Sequence, residues 1–289
     1  MVEGGVDMTA PLALLGEFGD AISFIFSSRE SSVGGTEIGG LGQVWELTRE
    51  HLLLVAASMG AAMLVALPLG LWLGHRRKGA FLAISVSNVG RAVPSLALIA
   101  VLVAFLGTGF LNVTVALALL ALPPILTNAY TAVSQVDRDL VDAARGQGMR
   151  ELQIIRSIEL PIALPLIFDG IRTSTVNVLA TATIAPLAGV KTLGDPIIST
   201  SVYGDEGRLG AAIVVAVLAI VTEVGLGAAQ RAVTPEGLKL EDGRTPRGRR
   251  LRAMGAGRGG GAAGSPGGRA AAGRRPSRRA SAPGAGAGR

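Results

Sequence analysis

The chain has 289 residues, 49% of them hydrophobic and 17% charged, with a mean hydropathy of +0.49. That is more apolar than a soluble domain of this length needs, and the bias to Ala, Leu, Val, Ile and Gly suits helices packed closely in lipid. Cysteine is absent, which excludes disulfides, thiolate metal sites and cysteine nucleophiles, and the net charge of +6 belongs to the tail, where residues 241–289 hold 12 Arg against two acidic residues.

The remainder carries about −4, so the basic balance indicates no nucleic-acid partner. Residues 1–45 form an amino-terminal segment with acidic residues near the start and no basic n-region, which is not the pattern of a signal peptide. Within it Leu12–Ser28 is apolar but interrupted by Glu17, Gly19 and Asp20, and reads as an interfacial helix. Ser31–Gly42 reads as a flexible linker.

Residues 46–240 form a membrane domain of about five spans. Span one is Leu52–Leu73, followed at once by His75-Arg76-Arg77-Lys78. His51 and His75 both flank apolar runs and read as interfacial residues. Span two is Ser85–Leu106, with Arg91 and Pro94 predicting kinked or interfacial first turns. Span three is Phe110–Val133 and carries Pro123-Pro124. A polar island, Asp142–Pro161, separates it from span four, Ile162–Pro186. Leu187–Arg208 reads as a mixed loop, and Leu209–Gln230 as span five. Lys and Arg collect after span one, in the island and in the tail, so these face the cytoplasm and the amino end lies outside. From Glu241 on, composition predicts a disordered tail that either attracts anionic membrane lipid or merely reinforces topology.

The island is charge-rich, with no set of side chains for catalysis. The chain has no GxxxxGK[ST] phosphate loop, so ATP hydrolysis by this chain is not expected. Two short helices around a turn are predicted. Asp137–Gln147 has acidic residues at its amino end, Gly148 supplies a left-handed residue, and Arg150–Leu160 is apolar at Leu152, Ile155, Ile158 and Leu160 before Pro161 opens the next span. Small Ala143 and Ala144 would let a partner approach closely.

This stretch is similar to the coupling motif of ABC-importer permeases, EAA-x3-G-x9-I-x-LP. Asp142, Ala143, Ala144, Gly148, Ile158, Leu160 and Pro161 match it in spacing, and Asp142 stands where Glu is usual. Gly90–Phe110, Gly170–Gly189 and Val233–Leu240 further resemble the osmoprotectant branch, the permeases for glycine betaine, carnitine and choline. The resemblance implies an all-α type I importer permease in the cytoplasmic membrane. It implies as partners a cytoplasmic ABC ATPase dimer that docks on the island and binds the ATP, an extracytoplasmic solute-binding protein, and a second permease copy or related chain. No cofactor is expected in this chain. Permeases for methionine, nitrate, sulfonates or amino acids share the motif and are the nearby alternative; a secondary transporter and a membrane scaffold are the readings from other classes.

Within the spans, Asp169 and Arg172 lie three apart on one helical face, where they could pair with each other, while Arg91 and Glu223 sit toward the ends of theirs. Asn88, Asn112, Asn128, Asn177, Thr181 and Thr183 could line a path or act as hydrogen-bond glue between helices. Aromatic residues are too sparse for an evident quaternary-ammonium cage, so tight recognition is expected in the binding protein.

Overall fold

The computed structural model describes residues 9–234, except the side chains of residues 9–15, 82–84, 86, 89 and 91. The Arg-rich tail, and nearly all of the Val233–Leu240 segment, lie outside the described residues. Among the described residues the fold is helical apart from one short hairpin. Helices α1 (Thr9–Phe26) and α2 (Gly40–Arg76) flank strands β1 (Ser28–Glu30) and β2 (Glu37–Gly39); α3 (Ala80–Ala92), α4 (Ser95–Leu106) and α5 (Phe110–Ser134) follow. Next come α6 (Arg138–Gly146), α7 (Glu151–Ile154), a π turn (Ile155–Glu159), α8 (Leu160–Thr181), a 3-10 segment (Ala182–Ala188), α9 (Gly194–Ile198) and α10 (Thr200–Val233).

Helix α5 lies at the centre, packed against α2, α3, α4 and α8. Val113, Ala116, Leu117, Ala121 and Ile125 of α5 meet Leu54, Met59, Ala62 and Ala66 of α2, and Val178 and Leu179 of α8. Small residues set the spacing: a Cβ on Gly70 would lie 2.6 Å from that of Ala129, so α2 and α5 touch backbone to backbone. Among the described residues α2, α5 and α10 are long and apolar enough to cross a membrane. Helix α8 has 22 residues, enough for about 33 Å, but carries Asp169 and Arg172. Only 11% of the apolar window of α10 is buried, against 50% for α5, so α10 presents most of its surface outward.

Several expectations are corrected. Span two is two helices, because Pro94 holds an extended conformation (φ −64°, ψ 125°) and denies Val93 the helical one. Ser31–Gly42 is no free linker. Strands β1 and β2 pair antiparallel, with Arg29 opposite Ile38, and the chain then enters α2. The Gly, Ser and Thr of this stretch suit tight turns as well as linkers, and contacts to α10 decide between the two. Leu187–Arg208 is largely helical and includes α9 and the first turns of α10. His51 is fully buried; its Nε2–H donates to the Leu179 carbonyl at 3.0 Å. The second island helix does not end at Pro161 but runs through the π turn into α8. There the Leu160 N–H reaches the Ile155 carbonyl, and this wider turn makes room for the Pro161 ring, which has no N–H to give.

The hairpin is tied to a break in α10. Gly204 (φ 70°, ψ 177°) interrupts that helix in a conformation open essentially to glycine, which takes the Val202 carbonyl out of the helical ladder. Ser31 Oγ–H donates to that carbonyl at 3.1 Å and the Ser32 N–H at 3.2 Å. Arg29 pairs with Glu206 at 3.0 Å. Phe24 of α1 is 1% exposed; it meets Tyr203 edge-on and lies over Gly207 and Gly210, where a Cβ would be 3.2 and 3.0 Å from its ring. Truncating a buried Phe to Ala typically costs about 3–5 kcal/mol. Phe24→Ala is therefore expected to lower the thermal midpoint of the detergent-solubilised protein markedly; an unchanged midpoint would show that α1 does not brace α10.

Candidate functional site

The island folds as two helical pieces around a tight turn. Asp137 caps α6, its carboxylate accepting from the Asp139 N–H at 2.9 Å, while Arg145 stands in the last turn, so both ends complement the helix dipole. Gly148 has φ 81°, as the turn requires. The Met149 N–H reaches the Ala144 carbonyl and the Gly148 N–H that of Arg145, a Schellman closure. Val136, Val141, Ala144 and Ile154 form a small core under the turn, with Met149 and Ile158 packed against it.

The motif residues therefore divide. Asp142, Ala143 and Gly148 are exposed, whereas Ala144 is buried in the island's own core and cannot offer close approach to a partner. Ile158, Leu160 and Pro161 are half-buried where the island joins α8. Leu140 and Leu152 stand 49% and 57% exposed, leaving apolar side chains outward among charged ones.

Behind the tip lies a cleft of about 770 Å³, lined by the end of α2, by α6 and by the α7–π segment. Arg145 pairs with Glu151 and Asp142, each at 3.1 Å. His75 lies between Glu159 and Glu151, with each ring nitrogen 2.7 Å from a carboxylate oxygen. Glu159 is 2% exposed, so His75 is not the simple interfacial residue expected but the partner of a buried carboxylate. Arg145 holds the Glu151 carboxyl below the ordinary carboxylate range, with a smaller contribution from His75, and Glu151 raises Arg145 in turn. A depressed carboxyl stabilises the fold above its ordinary titration range, and that contribution is lost as pH falls through the lowered one. Glu159 and His75 escaped the sequence reading because Glu159 occupies the free position of I-x-LP. A charged residue within an apolar run just before a proline was the available signal.

The intramembrane polar residues do not form one site. Arg172 does not pair with Asp169, its helical neighbour. Its Nε–H donates to Glu223 of α10 at 2.6 Å, and its terminal nitrogen contacts the same oxygen. Asp169 accepts instead from Gln230 Nε2 at 2.9 Å. These cross-helix partners override the i,i+3 spacing because α10 runs alongside this face of α8. Asn112 is buried and donates to the Gly107 carbonyl at 2.5 Å, closing the turn before α5. Asn128 is half-buried against Gly170 at the α5–α8 contact. The Thr181 and Thr183 hydroxyls donate back to their own chain, at Asn177 and Ala180. Asn88 is exposed on α3, and the Arg91 side chain lies outside the described residues.

Asn177 and Thr181 nevertheless share a second cleft, of about 450 Å³, with Thr173, Gly90, Ser95, Pro123 and Pro124. It lies at the break between α3 and α4, opposite the proline pair of α5. Pro124 leaves the Leu120 carbonyl without its helical donor, and Leu120 lines the cleft. Backbone and side-chain oxygens thus gather where two helices are irregular.

Residues 66–236 match the family described as binding-protein-dependent transport system inner membrane component. The chain belongs to that family. It is the permease subunit of an ABC importer, an integral membrane transport component that works with a separate solute-binding protein and a separate ATPase. The glycine betaine/carnitine/choline permease protein OpuCB of Bacillus subtilis is 38% identical over 199 residues, covering 68% of this chain and 92% of that protein. The choline permease protein OpuBB of the same organism is equally similar. The osmoprotectant import permease OsmW of Salmonella typhimurium is 32% identical over 205 residues, covering 95% of its length. In fold, the permease is similar to a chain of the inward-facing MetNI methionine transporter, with a TM-score of 0.59 at 20% identity, covering 68% of this chain and 98% of that one.

The Arg172–Glu223 pair ties α8 to α10, so losing one partner leaves a charge in an apolar setting. Arg172→Gln is expected to reduce the yield of folded permease and lower its thermal midpoint by several degrees. Arg172→Gln with Glu223→Gln should recover most of that loss, and size-exclusion profiles with thermal melts in detergent would show it.

Proposed function

We propose that this permease carries osmoprotectants of the quaternary-amine kind, such as glycine betaine, choline and carnitine, into the cell. The observation that carries this reading is its 38% identity to the glycine betaine/carnitine/choline permease over 92% of that protein. The amino end lies outside, and the island and the tail lie in the cytoplasm, as the placement of Lys and Arg suggests. Residues 46–240 are the transmembrane domain, residues 1–45 an extracytoplasmic brace, and residues 241–289 an appended tail.

In this reading the island docks on a dimeric ATPase that holds the ATP, and this chain itself carries no cofactor. The rigid turn at Gly148, the outward Leu140, Ala143 and Leu152, and the charges of Asp142 and Arg145 support such a docking surface. The matched motif residues Ile158, Leu160 and Pro161 join that surface to α8 without a break, so a displacement of the island reaches the membrane as movement of one rigid helix. A second permease chain, either a copy or a relative, covers part of the outward face of α10. Asn177, Thr181 and Thr173 offer the solute a polar, low-affinity path beside the α3–α4 break. An extracytoplasmic binding protein supplies the tight recognition.

The substrate is tested by uptake of radiolabelled glycine betaine, choline and carnitine in cells lacking their own carriers but expressing the full importer. Saturable uptake of at least one is expected; none would remove the osmoprotectant assignment. Gly148→Val tests the docking surface. A Cβ at this position meets no neighbour within 4 Å, so the first cost is backbone strain, roughly 1–2 kcal/mol for a left-handed non-glycine residue. Uptake should fall severalfold while the permease still inserts, and wild-type uptake with undisturbed ATPase association would refute docking through this turn.

A further inference from the structure

The contact between α2 and the island has a chemical requirement of its own. His75 lies in the last turn of α2, and its side chain is 7% exposed. Its Nδ1 faces the buried Glu159 and its Nε2 faces Glu151, both at 2.7 Å. A neutral imidazole has one N–H, so a neutral ring would set a bare lone pair against a carboxylate oxygen. With both nitrogens donating, the ring serves the two carboxylates at once. From there the network continues through Glu151 to Arg145 and on to Asp142, the first residue of the spaced motif.

Arg76 stacks on Trp72, its guanidinium 5.1 Å from the ring centroid, and Arg77 donates to the Val136 carbonyl. Arg138 of α6 lines the same cleft. Chain connectivity joins the island directly to α5 and α8 only. Helix α2 reaches it through side chains, and His75 is the one that grips both ends of the Glu151–Glu159 segment.

We propose that His75 is a positioning residue for energy coupling: as an imidazolium it fastens α2 to the island, so that movement of the island is delivered to α2 as well as to α8. This rests on the reading of the island as the ATPase docking element. The contact is complete while each carboxylate faces a ring donor, and a side chain with a single donor serves only one of them. Loss of the second donor therefore weakens coupling, while ATPase association persists.

The test uses the full importer, with ATPase and binding protein, reconstituted in proteoliposomes, and reads solute transported per ATP hydrolysed. His75→Gln should lower this ratio severalfold while ATPase association persists. His75→Gln with Glu159→Gln should raise the ratio again, because the buried carboxylate no longer lacks a partner. Glu151→Gln removes one arm at a 59% exposed site and keeps the fold, and should lower the ratio by about half. A wild-type ratio in His75→Gln and Glu151→Gln, or no recovery in His75→Gln with Glu159→Gln, overturns the proposal. Because the chain has no cysteine, Leu152→Cys gives a single site for cross-linking to the ATPase. A cross-link that forms beside a wild-type ratio in His75→Gln defeats the His75 proposal alone, whereas absence of any cross-link defeats the docking reading and this proposal together.

Discussion

A helix that breaks inside or beside a membrane exposes carbonyl groups where no water replaces the missing donor. This permease breaks its helices repeatedly, and a particular donor answers at each of several breaks. Asn112 serves the Gly107 carbonyl, His51 that of Leu179, and Thr192 that of Ala182. Arg77 serves Val136, and Ser31 with Ser32 serves Val202. The irregular segments are thereby tied to the helices they join.

The same requirement explains which parts of the fold were legible in the sequence. The long apolar runs of α2, α5 and α10 were plain from hydropathy. The island's first helix was equally plain, since Asp137 and Gly148 are local signals for a start and a stop and depend on no distant partner. The hairpin was not legible. Its Gly, Ser and Thr residues would suit a free linker, and the Val202 carbonyl that orders them lies 171 residues away. His51 was misplaced for the same reason: its burial depends on where α8 gives way to the 3-10 segment. The i,i+3 spacing of Asp169 and Arg172 is a true helical relation, but each found a stronger partner across the α8–α10 contact.

The candidate site shows a finer division. Spacing located the turn and the junction with α8, but not which motif residues face outward. Ala143 and Ala144 are identical in type and adjacent in sequence, yet one is exposed and the other lies in the island core. Only the phase of α6 over that core distinguishes them. Glu159 was silent because the motif leaves its position free, although its buried carboxylate anchors the polar network behind the tip. Chain topology likewise hid the link from α2, since His75 and Glu159 are 84 residues apart.

The π turn at Ile155–Glu159 gives the nine-residue interval before Ile158 a rotational meaning. Such a turn holds one residue more than a regular α turn and absorbs it as a bulge, so the windings on either side keep nearly the phase they would have without it. Removing one residue here would restore regular winding and leave the tip of the island close to its present bearing around α8, whereas removing one from a regular part of the same helix would swing it by about 100°. The bulge thus works as slack in the winding: it is the place where the interval can lose a residue while the tip still faces the same quarter of its surroundings.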